Sequence, residues 1–163
     1  RQWQCATIQC DFNLPERVNL SYINEQGQES QPIMIHRAIL GSVERFIGTL
    51  IEHYAGAFPL WLSPQQVTII PIREDHVNFA VKVKEDLQNQ GLRVIIDNRN
   101  ESLNKRIRES TVKKVPYTLI IGDKEVTENN VSVRTYAQGD LGAVSLPDLS
   151  NRLKNEIINK KTL

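Results

Sequence analysis

Apolar and polar residues along this chain follow two periods, and the places where one gives way to the other divide it into segments. WQCATIQCDF (3–12) and QPIMIH (31–36) are strand-type runs, separated by the polar, glycine-containing NEQGQES (24–30). That pattern predicts sheet strands joined by a solvated hairpin loop. From Ala38 to about Tyr54 the apolar positions Ile39, Leu40, Val43, Phe46, Ile47, Leu50 and Ile51 recur at three and four, the stripe of an amphipathic helix. AGAFPLWLSPQQ (55–66) then breaks the period with glycine and proline, which predicts two domains, 1–60 and 65–163.

Beyond the break the pattern alternates between strand and helix. QVTIIPI is a short apolar strand, REDHVNFAVKVKEDLQNQG a helix closed by Gly91, and LRVIID a second strand. This is a βαβ unit, whose right-handed crossover implies a parallel pair. A helix SLNKRIRESTVKK leads to PYTLIIG, and VSVRT follows across the polar DKEVTENN as its antiparallel partner. LPDLSNRLKNEIINKK closes the chain as an amphipathic helix with Leu149, Leu153 and Ile157 on one side. The order βαβαββα is a complete small α/β domain.

The 163 residues, 40% hydrophobic, are enough for at least one real core. A net charge of +1 gives no global nucleic-acid signature, so a polyanion would need a local basic patch. Neither an apolar run of membrane-spanning length nor a signal-peptide pattern is present, so a soluble chain in the cytoplasm is expected, with no membrane partner. Cys5 and Cys10 lack CxxC spacing and are expected as free thiols. RQWQCATIQCDF opens in mid-pattern, without Met or a cap, and reads as part of something longer.

Three groups of residues invite chemistry. His36 ends a strand, where side chains emerge into crevices; it fits a packed histidine or a zinc ligand, but His53 and His76 have no ligand-like spacing to it. Arg37 and Arg45 flank Gly41 and Ser42 at a strand-to-helix junction, and a guanidinium fork there is either a solvated charge or a phosphate grip. Arg99, Lys105, Arg106 and Arg108, with Lys113, Lys114 and Arg134, make either an ordinary charged helix face or a ligand site with Asn98 and Asn100 at the carboxyl ends of strands.

PIMIHRAILGSVERFIGTLIEHYAGAFPLWLSP resembles the third signature motif of class II aminoacyl-tRNA synthetases in the form found in threonyl-tRNA synthetases, and QWQCATIQCDFNLPERVNLSYI resembles the strand before it. DNRNESLNKRIRE, VPYTLIIGDKEV and VSVRT resemble the anticodon-binding domain of the same enzymes, and the likeness runs the whole chain in order. It implies an α/β fold class: a C-terminal fragment of an antiparallel class II catalytic domain, then a mixed-sheet α/β anticodon-binding domain. The implied activity is that of a threonine-tRNA ligase, with threonine, ATP with Mg²⁺, and tRNA(Thr) as partners and a homodimeric full-length parent. The piece alone is expected to be monomeric.

On this resemblance His36 is one of three protein ligands of a Zn²⁺ that keeps an open position for threonine and rejects valine, the other two lying upstream. Arg45 grips the ATP phosphates and stabilises charge developing on pyrophosphate. Gln4, Thr7 and Gln9 line the threonine and adenylate pocket, with Cys5 beside them and Ser42 near. Asn100, Arg108, Glu125 and Arg134 hold the anticodon, whose last two bases are G and U; Glu accepts from a guanine edge and Arg donates to base or phosphate acceptors. Class II motifs 1 and 2 are absent, so this chain alone is expected neither to adenylate threonine nor to bind zinc tightly. The alternative is a non-catalytic synthetase-like RNA-binding or regulatory protein, against which the retention of Gln9, His36 and Arg45 speaks.

Overall fold

The computed structural model describes residues 3–162. Arg1, Gln2 and Leu163, and with them the start of the mid-pattern opening run, lie outside the described residues. The chain divides into two compact units, one up to His53 and one from Tyr54.

In the first unit, β1 (Thr7–Asp11) pairs antiparallel with β4 (Met34–Ala38), Gln9 opposite His36. Between them lie a short helix α1 (Asn13–Arg17) and a hairpin of β2 (Tyr22–Ile23) with β3 (Glu29–Ser30). The helix was not visible in the apolar pattern. Its start is set by Asp11, whose Oδ1 accepts the backbone N–H groups of Asn13 and Leu14, both at 2.9 Å. The hairpin does turn on NEQGQES, where Asn24 Oδ1 accepts from the backbone of Gln26 and Gln28. Helix α2 runs Val43–Tyr54 and so begins later than the expected Ala38, because β4 extends through Ala38 and Gly41 turns the chain at φ +66°. A Cβ on Gly41 would stand 3.3 Å from the Cys5 carbonyl oxygen, so the position favours glycine by conformation and by space. Ser42 Oγ then caps α2, accepting the Arg45 N–H at 3.3 Å.

This unit has apolar stripes but almost no interior. Pro15 is its single buried residue among those described. Ile8, Ile35 and Ile39 are about two-thirds exposed, and α2 carries no buried residue although its stripe is as predicted.

The second unit holds the core. Five strands lie in the order β6-β5-β7-β8-β9: β5 (Val67–Pro71) is flanked by parallel neighbours β6 (Val94–Ile96) and β7 (Tyr117–Ile121), and β8 (Asn130–Thr135) and β9 (Gly139–Ser145) continue antiparallel. α3 (Val77–Asn89) and α6 (Leu146–Ile158) cover one face, where Val67, Ile69, Leu119, Ile121, Val131 and Val133 meet Val83, Leu87, Leu149 and Leu153, all 3% exposed or less. α4 (Leu103–Val112) covers the other at β5 and β7, where Ser110 Oγ and Thr118 Oγ1 share a hydrogen bond of 2.7 Å. Two elements exceed the sequence reading: DKEVTE is a helix, α5 (Asp123–Glu128), and GDLGAVS is β9. Among the described residues no helix is long and apolar enough to cross a membrane, and Cys5 and Cys10 are free thiols.

Candidate RNA-binding face and strand-pair site

Alternation along β1 and β4 places Thr7, Gln9 and Asp11 with His36 on one side of the strand pair and Ile8, Cys10 and Ile35 on the other. On the polar side His36 Nε2 lies 3.1 Å from Asp11 Oδ2. The N–H groups of Leu14 and Asn13, and then His36, hold the Asp11 carboxyl below the usual carboxylate range. Asp11 is not among the candidates the sequence offers, although its place two residues after Gln9 puts it on the same side by period alone. Gly41 packs beside the Gln4 and Cys5 carbonyls, which brings those two residues next to Ser42. Ser42 Oγ donates to Glu44 at 2.7 Å. The Arg45 guanidinium, in the first turn of α2, makes no hydrogen bond or ion pair among the described residues.

In the second unit most of the expected basic cluster is already paired. Arg99 grips Asp97 with Nε and Nη2 at 2.8 and 2.7 Å and reaches Glu109 at 2.7 Å; Lys105 meets Glu101 at 2.7 Å. The Arg99 hydrogen bond holds the Asp97 carboxyl low, and the two carboxylates raise the Arg99 guanidinium. Arg106 is 5% exposed and donates to carbonyls, so it is no part of a solvated face. Arg108 and Lys113 remain exposed, without an ion pair among the described residues.

Asn100 is exposed and lines a cleft of about 910 Å³ between the carboxyl ends of β5 and β6, facing Ile72, Arg73 and Glu74. Glu125 sits in the first turn of α5, its Oε2 accepting the Gly122 N–H at 2.9 Å; a Cβ on Gly122 would come within 3.1 Å of that oxygen. Arg134 lies on β8 opposite Thr118, on the α4 side of the sheet, with Nη1 3.6 Å from Asp140 Oδ2. No hydrogen bond or ion pair among the described residues joins any two of Asn100, Arg108, Glu125 and Arg134. They occupy a strand-end loop, an exposed helix face, a helix start and a strand of the same α/β unit.

A further polar group was hidden in the sequence. His76 is 3% exposed; its Nδ1 accepts the Arg73 backbone N–H at 3.2 Å, so Nε2–H donates to Asp123 Oδ1 at 3.1 Å. Arg73 binds the same carboxylate, which is held low by His76 first. The trio ties the end of β5 to the start of α5, and therefore to the turn that carries Glu125. At the other end of the sheet, Tyr117 donates to Glu156 at 2.7 Å under Arg152; burial, then Glu156, pushes its hydroxyl up.

Comparison with known proteins is consistent with this architecture. Residues 66–156 match the family described as "Anticodon binding domain", and residues 1–54 match "tRNA synthetase class II core domain (G, H, P, S and T)". Over 160 residues the chain is 51% identical to the threonine–tRNA ligase of Clostridium tetani, 54% to that of a Clostridium botulinum strain and 52% to that of Caldanaerobacter subterraneus, in each case 98% of this chain and 25% of the relative. It thus spans about a quarter of the length of the curated relatives it matches. The crystal structure of the RNA binding domain of threonyl-tRNA synthetase from Cryptosporidium parvum Iowa II superposes with a TM-score of 0.82 at 39% identity, covering 95% of this chain and 40% of that one. The chain therefore belongs to the family of tRNA-synthetase anticodon-binding domains, preceded here by the end of a class II synthetase core, as in the threonine–tRNA ligases it matches.

Proposed function

We propose that this chain is the C-terminal part of a threonine-tRNA ligase, whose second unit binds tRNA(Thr) at the anticodon and whose first unit completes the active site for adenylation of threonine by ATP. The observation that carries the reading is the close superposition on an RNA-binding domain of threonyl-tRNA synthetase. In this reading Asn100, Arg108, Glu125 and Arg134 hold the anticodon, while Gln4, Cys5, Thr7, Gln9 and Ser42 line the threonine and adenylate pocket. The exposed Ile8, Ile35, Ile47 and Ile51 fit the same view, since apolar faces of this extent on a soluble fold are made to be covered by further chain.

Zinc fits only in part. A catalytic zinc takes three protein ligands, and among the described residues no group of three His, Cys, Asp or Glu could hold a metal. His36, with Asp11 beside it, would supply one ligand in a longer ligase, and no chemical step is assigned to the metal here.

The test is binding of an anticodon stem-loop carrying G and U at its last two positions, against stem-loops with those bases swapped, at fixed salt. Arg134→Ala is expected to cost about 1–3 kcal/mol with the native loop and to relax discrimination, as loss of a base contact does. Arg108→Ala, on an exposed helix face, should weaken all loops alike and lower the salt slope. Weak binding indifferent to every swap would favour the synthetase-like, non-catalytic alternative.

A further inference from the structure

Arg106 is the one buried charged residue of the cleft that bears Asn100, and its hydrogen bonds run across the sheet. The ladder between β5 and β6 stops at Ile69 and Ile96, with the Asp97 N–H donated to Ile69 O as the next backbone bond. Beyond that point the strands diverge into two loops, Ile72–Arg73–Glu74 on one wall of the cleft and Asn98–Arg99–Asn100 on the other. The Arg106 guanidinium bridges the gap: Nη1 donates to Pro71 O at 2.9 Å and to Asp97 O at 3.0 Å, and Nη2 to Ile72 O at 3.4 Å. Both cross-strand bonds come from one nitrogen, Nη1, and Nη2 adds a third carbonyl on the β5 side; the planar guanidinium fixes the directions of these donors, whereas an ammonium is a point charge on a flexible stem.

We propose that Arg106 is a positioning residue for RNA recognition: by clamping the Pro71–Ile72 and Asp97 carbonyls it sets the width of the cleft and the presentation of Asn100 to an unstacked anticodon base. The inference rests on the anticodon-binding reading given above. A planar base is selected by wall spacing as much as by hydrogen bonds, because single-stranded bases are held by stacking and by their edges together. An arginine that fixes both walls therefore acts on recognition without touching RNA.

The experiment uses the whole chain and the stem-loops already described, measuring the native-to-swapped affinity ratio at each of the two anticodon positions for wild type, Arg106→Lys, Asn100→Ala and the double variant. Thermal unfolding identifies the folded protein. Arg106→Gln, which keeps an amide donor and sheds the buried charge, replaces Arg106→Lys should the latter not fold. The expected result is a folded Arg106 variant with a roughly tenfold smaller ratio at one position and an unchanged ratio at the other, the double variant being no worse there than Asn100→Ala alone. Unchanged ratios at both positions, or equal losses at both with additive behaviour in the double variant, would reduce Arg106 to a fold staple and overturn the proposal. If Asn100→Ala changes neither ratio while Arg106→Lys lowers one, Arg106 does not act by presenting Asn100 and the proposal is overturned. If the wild type itself shows no base preference, the anticodon reading fails and this inference goes with it.

Discussion

Leu153→Ala is expected to remove about 2–5 kcal/mol from the stability of the second unit, the range for emptying a buried leucine site. Leu153 is fully buried on α6 and meets the sheet face formed by Leu119, Val131 and Val133. It belongs to one cluster with residues of the sheet and of α3, and close-packed surroundings of this kind collapse only partly around a void. In a domain of this size each kcal/mol shifts the melting temperature by about 4–8 °C. A fall of at least about 8 °C should therefore be read by circular dichroism, against a change of a degree or two for Ile158→Ala, which removes a side chain on a residue 74% exposed. Equal shifts for the two variants would show that α6 is not part of the core.

How far the fold could be read from the sequence depended on whether local pattern or tertiary context decided each element. β5, α3, β6, α4, β7 and α6 are legible because their apolar residues recur at two or at three and four, and because Gly91 and Ser102 mark ends that the structure uses; Ser145, one residue before the expected final helix, starts α6 in the structure. Both serines accept a backbone N–H at their helix starts, from Lys105 and Asp148. β9 was invisible. GDLGAVS has two glycines and an aspartate, low strand propensity and no clear alternation, and it is a strand because β8 offers it a free edge. α5 looked like a polar loop since six residues cannot show a helical period; its start is fixed by the Glu125 carboxylate on the Gly122 N–H, a geometry no hydrophobic pattern encodes. The candidate site was legible as residue types but not as pairings. Counting basic residues near Asn100 suggested a positive patch, yet Asp97, Glu101 and Glu109 were interleaved in the same stretch and take up Arg99 and Lys105. For Arg106 the pattern leaves open a charged helix face or a ligand site, and the structure buries it. Its helical position, four residues before the buried Ser110, was the signal that it faces the sheet. Spacing gives His76 no ligand role, and nothing in its sequence neighbourhood points to Asp123, forty-seven residues away.

A second effect of similar size in free energy is expected in rate. In a full-length threonine-tRNA ligase carrying this chain, Arg45→Ala should lower kcat for adenylation, followed by pyrophosphate exchange, by about 10²–10³, the loss typical when one preorganised donor is taken from developing negative charge. The full-length protein is required, because this chain spans about a quarter of the length of the ligases it matches and is expected to show no exchange by itself. Three features of the first unit favour the result. Arg45 sits on a capped helix start, its backbone N–H held by Ser42 Oγ, so the direction in which the side chain leaves the helix is set. The adjacent carboxylate, Glu44, is occupied by the Ser42 hydroxyl and does not pair with it. Gly41 brings this turn against the Gln4 and Cys5 backbone, next to the strand whose polar side carries Thr7 and Gln9. A guanidinium with no hydrogen bond or ion pair among the described residues, beside such a strand, is available to phosphate oxygens in a bidentate fork. Arg45→Lys should therefore recover only part of the rate, since an ammonium supplies charge without the fork. If the arginine acts on charge that appears during the reaction, kcat should fall far more than the KM for ATP rises; a rise in KM with kcat unchanged would mean uniform ground-state binding instead. Anticodon stem-loop affinity serves as the control and should not change. A rate within about threefold of wild type would identify Arg45 as an ordinary solvated helix charge, and would leave the phosphate grip of the ligase to residues outside this chain.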